Sequence, residues 1–499
     1  MGNIRKQSIL SSMLIYVGFI FGAINTYLFA KNGYFEPSQY GLTQAFIAIN
    51  IIFFSFANLG TTAILSRFYP YYYDELEDKK NDLLSLCLVI SIIGFTLVCI
   101  GAHLFEPIVI KKFAGKSSLI IQYYYWILPF TFFFTIFYLL NAHSEVNKKT
   151  VLPNFLRETG FRILITILII LFITKVINFD VFIKFFAFTY LVLCIIIATY
   201  LWKINKLHFT FKISHVTKAK LKEMLVMVSF VYGGNIVFNI AQNIDSITIA
   251  SQKGLAYTGI FTLSNYIASI ITVPQRSIVS IATPYLSQAW KDGNHKEIQR
   301  IYSRSAINLL ILSLLIFCNI WLNIDDAYRL LNLDPSFEAG KYVILILGFK
   351  FIIDMGTGVN SQMLYTSPSW KFEFFSGVIL LFLSIPLNYF MVSKYGIIGA
   401  AYAGLIAMSI YNTIRLIFIS KRYNMQPFSI KTLYSILLAF ACYMVIYFAL
   451  RQMHGWVGVF LKSFLFSLFF IIGILYLKLS IDIQTVINSL KKRMFKQKK

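Results

Sequence analysis

RFYPYYYDE (67–75) and IATPYLSQAWKD (281–292) close two apolar segments that open on Tyr40-Gly41 and on Thr258-Gly259. The two glycines lie 218 residues apart, and Pro70 and Pro284 lie 214 apart. Each segment follows one earlier apolar run and one short loop, so the copies share an orientation. A parallel repeat of this kind implies a pseudo-two-fold axis along the membrane normal and a cavity between two lobes.

Working outward from the repeat, the chain offers fourteen apolar spans, near residues 9–30, 41–65, 83–106, 119–142, 155–177, 181–202, 224–250, 257–285, 305–324, 340–366, 372–393, 397–420, 432–450 and 457–478. About 20 apolar residues cross a hydrocarbon core. Only helices and closed barrels satisfy their backbone there, and barrel strands would be shorter and alternate in polarity. The spans therefore predict an all-α polytopic membrane protein of about 14 transmembrane helices. Residues 1–212 form an N-terminal lobe of six helices and 213–430 a second lobe of six. Residues 431–499 hold two further helices and a basic tail.

Composition agrees. Of 499 residues, 58% are hydrophobic and only 13% charged, with a mean hydropathy of +0.69. A soluble core cannot absorb that much apolar surface. The net charge of +24 would suggest nucleic acid in a soluble protein. Here it follows orientation: with the N-terminus inside, inner segments carry roughly 28 Lys and Arg and outer segments roughly 10. Both termini are expected in the cytoplasm of a bacterial inner membrane. The largest inner clusters are WKINKLHFTFKISHVTKAKLKE (202–223) and KKRMFKQKK (491–499). They serve topology and attract anionic lipid. The N-terminal MGNIRKQSIL has no small-residue cleavage site after it and reads as the start of the first span.

Several function classes drop out. The outer loops are too short to build the periplasmic catalytic domain of a membrane glycosyltransferase or polymerase, so a non-enzyme is expected. No P-loop supports direct ATP drive, which leaves an H+ or Na+ gradient or removal of product. The five cysteines lie in apolar runs without metal spacing. The six histidines neither cluster nor form HExxH, so no metal or cofactor is assigned.

Three phrases carry a resemblance: NIVFNIAQNIDSITIASQKGLAYTGIFTLSNYIA (235–268), VPQRSIVSIATPYLSQAWKDGNHKEIQRIYSR (273–304) and LNYFMVSKYGIIGAAYAGLIAMSIYNTIRLIFISKRYNMQPF (387–428). With GAINTYLFAKNGYFEPSQYGL (22–42) they resemble the oligosaccharide (O-antigen or capsule repeat-unit) flippases of the multidrug/oligosaccharidyl-lipid/polysaccharide exporter superfamily. The resemblance implies two six-helix lobes forming a V that opens alternately to each side. It implies a polyprenyl-pyrophosphate-linked oligosaccharide as cargo, moved from the cytoplasmic to the periplasmic leaflet for surface polysaccharide. A polysaccharide polymerase and other assembly proteins are the implied partners. The family often has Asp-Arg where this chain has Asp245-Ser246, so that arginine's role does not carry over.

A pyrophosphate crossing hydrocarbon needs replacement of its hydration, and arginine grips phosphate oxygens in a fork. Arg276 lies roughly 14 residues before Trp290, hence near mid-membrane by helical rise, where a charge is a functional hypothesis by default. The resemblance adds that lipid II flippases use a cavity arginine in the corresponding helix. Its alternative is an arginine neutralised by a carboxylate that holds helices together. Lys350 and Asp354 sit i, i+4 and can pair on one helix face or form a cation or proton site. Asp245 bridges helices or binds a coupling ion. Asn25 and Asn58 are sugar-binding candidates, or interhelical glue. Arg157 and Arg162, at the cytoplasmic start of the fifth span, could receive a pyrophosphate or pair and snorkel. Two rival readings of the same fold stay open. A cation-coupled drug extruder would place an Asp in the first span, which has none. A lipid II flippase would place arginines in the first two spans, which have none away from their ends.

Overall fold

The computed structural model describes residues 2–482 and 484. Among them no extended strand occurs, and the chain is a multi-pass helical membrane protein. Among the described residues, nine helices are long and apolar enough to cross a membrane, or ten if the bent pair Pro335–Gly356 and Asn360–Thr366 counts as one span. The basic stretch 491–499 lies outside the described residues.

Packing divides the chain into two compact units, Met1–Gly259 and Ile260–Lys499. The first contains α1 (Gly2–Ala30), α2 (Pro37–Ala57), α3 (Thr61–Glu75), α4 (Leu83–Phe113), α5 (Ile127–Val146), α6 (Phe161–Ile173), α7 (Phe179–Ala187), α8 (Thr189–Lys203) and α9 (His215–Gln252). The boundary falls inside α10 (Leu255–Ser269). The second unit contains α11 (Val273–Lys291), α12 (His295–Leu330), α13 (Lys341–Gly356), α14 (Asn360–Thr366), α15 (Trp370–Tyr423), α16 (Ile430–Ala449) and α17 (Gly455–Tyr476). The repeat puts a lobe boundary after residue 212. Packing instead draws α9 into the first unit, where Asn239 donates to Ser55 at 2.7 Å and the Tyr72 and Thr217 hydroxyls meet at 2.6 Å.

Several expected spans are broken, each for a local reason. The 41–65 span splits into α2 and α3 because Leu59 and Gly60 take positive φ, 43° and 74°. The 155–177 span begins with a single turn, Val151–Phe155, and a π-helical turn, Leu156–Gly160, before α6. The 257–285 span is interrupted by a 3-10 turn, Ile270–Thr272, just ahead of Pro274 in the first turn of α11. Conversely, the spans at 372–393 and 397–420 run together as α15, kinked at Gly396 (φ 62°, ψ −138°), a conformation only glycine adopts readily.

The two repeat glycines meet. Where α2 crosses the first turn of α10, a Cβ on Gly41 would lie 1.8 Å from the Leu255 carbonyl oxygen, and one on Gly259 would lie 2.5 Å from that of Pro37. Small residues let backbones approach this closely in membranes. Unit one is filled by aromatics: Phe130, Phe182 and Phe186 are fully buried, with Tyr190 stacked on Phe161 at 5.0 Å.

In unit two, α12 holds the C-terminal hairpin α16–α17 by an apolar seam that includes Phe317, Phe466 and Phe470. A polar ladder runs beside it. Asn319 donates to Ser467 (3.2 Å), Asn323 to Ser463 (2.9 Å) and Lys462 to Asp326 (2.8 Å). Interhelical hydrogen bonds in lipid average about 0.6 kcal/mol, so the ladder fixes register more than it adds stability.

Candidate functional site

In unit one the break between α2 and α3 opens a cavity of about 290 Å³. About half of its lining is hydroxyl and amide side chains. Ser55 and Asn58 come from the end of α2, Thr62 and Ser66 from α3, Asn141 from α5 and Asn239 from α9. Asn58 caps the break: it donates to the Thr62 hydroxyl (3.1 Å) and accepts from Thr61 (2.6 Å). One side is aromatic, with Tyr138 tilted against Phe54 at 5.2 Å and stacked on Phe134 at 4.4 Å. The Asn141 side-chain oxygen is buried and has no hydrogen-bond partner among the described residues.

The charged corner of this cavity is Arg157, which the π-helical turn supports. Its guanidinium reaches Glu145 (3.3 Å), Glu158 (3.3 Å) and Asn154 (3.0 Å). Asn141 donates to the same Glu145 at 2.8 Å. The corner therefore offers donors and acceptors with its positive charge already balanced.

Of the residues singled out from sequence, Asn58 and Arg157 line this cavity. Asn25 does not. Its amide donates to the Arg162 carbonyl (2.8 Å) and accepts from Thr166 (2.6 Å), knitting α1 to α6. Arg162 sits on the same seam, donating to the Glu158 carbonyl (2.9 Å) with its guanidinium 5.4 Å from the Phe19 ring. Asp245 is half-buried on α9, and Arg276 is exposed in the first turn of α11.

Lys350 and Asp354 are one turn apart on α13 yet make no ion pair among the described residues. Lys350 lies 5.4 Å from the Phe351 ring, and Asp354 accepts from Asn412 (3.2 Å) and from Gln275. Asp354 thereby joins a network that the sequence reading missed. Asn412 accepts from Asn360 (2.9 Å) and Thr357 (3.3 Å). Arg415, only 3% exposed, pairs with Glu373 and donates to Ser376 at 3.2 Å, its guanidinium 3.8 Å from the Tyr411 ring. Ser361 donates to Glu373 at 2.7 Å. The signal was present: Arg415 interrupts the apolar run YNTIRLIFIS, and an arginine inside a span marks a buried polar site.

Among the described residues no three His, Cys, Asp or Glu side chains gather as a metal site. What the geometry offers is a polar cavity in unit one with Arg157 and Glu145 at one corner, and a buried network around the Arg415–Glu373 pair in unit two.

Comparison with known proteins fits this architecture. Residues 4–290 match the family described as polysaccharide biosynthesis protein, and residues 231–390 match the MatE family. No curated protein matches the chain. Among solved structures, a lipid II flippase MurJ in an inward closed conformation superposes with a TM-score of 0.76 at 19% identity, covering 94% of this chain and 99% of that one. An inward-facing multidrug resistance MATE family transporter superposes with a TM-score of 0.63 at 13% identity, over 83% of this chain and 98% of the other. An outward-facing conformation of such a transporter gives 0.57 at 14% identity, over 84% and 96%. At these identities the likeness establishes the fold. With more than half of its length matched, the chain belongs to the polysaccharide biosynthesis protein family.

Proposed function

We propose that the protein flips polyprenyl-pyrophosphate-linked oligosaccharide units from the cytoplasmic to the periplasmic leaflet by alternating access, supplying surface polysaccharide such as O-antigen or capsule. The observation that carries this reading is the unit-one cavity: amides and hydroxyls at Ser55, Asn58, Thr62, Asn141 and Asn239 beside the Tyr138–Phe54 pair. Sugars are recognised by such a mixture, with in-plane hydrogen bonds to hydroxyls and aromatic surface against the ring's apolar face. With the N-terminus inside, the cavity lies towards the cytoplasmic ends of its helices, where the cargo is loaded. Arg157 is paired with both Glu145 and Glu158, so this corner meets the cargo through hydrogen bonds and not through an unpaired cation.

The pyrophosphate is the task of Arg276, which is exposed and carries the planar fork of donors that grips phosphate oxygens. Asp354 is the first choice for H+ or Na+ coupling, with Lys350 and Asp245 as further ionisable groups along the route. A second reading, transport of lipid II, is favoured by the superposition on a lipid II flippase over nearly the whole chain.

The test is a deletion strain whose lipids are extracted and weighed by mass spectrometry. Complete polyprenyl-pyrophosphate oligosaccharide units should accumulate in the inner leaflet while surface polysaccharide disappears. Accumulation of lipid II instead selects the second reading. Normal lipid-linked pools with altered resistance to cationic drugs overturn both.

A further inference from the structure

In unit two the two arms of α15 enclose a groove of about 430 Å³ that the transport cycle proposed above does not use. Phe372 of the first arm stacks on Phe418 of the second at 3.7 Å with an interplanar angle of 8°. Ile414 and Ile417 extend the apolar floor, and Lys421 and Arg422 stand at its end. Ile417 is 49% exposed, and both basic side chains are exposed and make no ion pair among the described residues. Lys371, next to Phe372, adds a third exposed cation at the same end, beside Trp370.

We propose that this groove is a binding site for one anionic phospholipid, with an acyl chain along Ile414, Ile417 and Phe418 and the headgroup phosphate between Lys421 and Arg422. Charge complementarity argues for that occupant. Apolar side chains ending in unpaired cations match a lipid tail ending in a phosphate, and tryptophan marks headgroup depth. Basic residues in the last turn of a helix also complement its dipole, but that role needs no apolar groove beside them. The lining supplies no amide or hydroxyl groups for a sugar, which separates this site from the cargo cavity. Arginine and lysine next to each other give a fork and a point charge for a phosphodiester. The inference does not depend on which lipid-linked cargo is transported.

The full chain, purified in mild detergent, is titrated with dioleoyl phosphatidylglycerol and, separately, dioleoyl phosphatidylcholine, and bound lipid is counted by native mass spectrometry. The wild type should hold one phosphatidylglycerol that phosphatidylcholine does not replace. Each cation near an anionic headgroup is worth enough that Lys421→Gln/Arg422→Gln should weaken this binding on the order of 30-fold. Lys175→Gln/Arg451→Gln, which removes the same charge from two exposed positions elsewhere, should leave it within about two-fold of wild type. Ile417→Trp fills the groove while keeping both charges, and should weaken phosphatidylglycerol comparably. Equal binding of the two lipids, or equal loss in both charge variants, refutes the site. Preferential capture of a polyprenyl pyrophosphate at Lys421 and Arg422 also refutes it, because the groove would then belong to the cargo.

Discussion

The Arg415–Glu373 pair gives the sharpest test of the structure. Arg415 is 3% exposed and the Glu373 side chain 20%, so neutralising the glutamate strands a nearly buried cation. Removing one partner of a buried pair costs about 3–5 kcal/mol. The structure places this case at the lower end. Arg415 keeps Ser376 at 3.2 Å and the Tyr411 ring at 3.8 Å, and Asn360 lies at the limit of hydrogen bonding, 3.5 Å away. Glu373 also retains some contact with solvent. Glu373→Gln should therefore destabilise by about 3 kcal/mol, and Arg415→Met by a similar amount, since Glu373 would keep only Ser361. The double variant Glu373→Gln/Arg415→Met leaves no stranded charge and should cost roughly 1 kcal/mol, a coupling far outside additive behaviour. The assay is the rate of thermal inactivation of purified protein, followed by fluorescence-detected gel filtration, because large membrane proteins lose their fold irreversibly. A double variant as unstable as the sum of the singles would refute the argument that desolvated charge governs this network.

Three further outcomes follow from the geometry. Gly41→Ala places a methyl group on the Leu255 carbonyl and should cost about 1–3 kcal/mol by overpacking; Gly101→Ala, which meets only open space, should melt close to wild type. Asn25→Leu breaks two contacts between α1 and α6 and should lower stability by about 1 kcal/mol. Transport per folded molecule should be unchanged, so lost transport at an unchanged melting temperature would put Asn25 in the cargo path. Arg276→Lys keeps the charge but loses the fork, and should impair transport more than Arg300→Lys at the surface. Full transport by Arg276→Ala at matched membrane abundance removes Arg276 from the mechanism.

The amino-acid order determined the class of this protein by itself. Long apolar runs admit only membrane helices, because nothing else satisfies the backbone in lipid. The spacing of Gly41 and Gly259 drew attention to both positions before any contact was known. Those glycines turn out to touch, since only a residue without Cβ tolerates the crossing. Asn58 and Arg157, two of the residues singled out from sequence, line the unit-one cavity. Other assignments needed the tertiary structure. Asn25 and Asn58 look alike in sequence, yet one is consumed by Arg162 and Thr166 across a helix seam while the other edges an open cavity. Lys350 and Asp354 have pairing distance along one helix, but Asp354 turns to Asn412, 58 residues away. Helical periodicity reports which side chains share a face. It cannot report which neighbouring helix that face meets, and in lipid the unmet hydrogen bond of a buried polar group is settled by that neighbour.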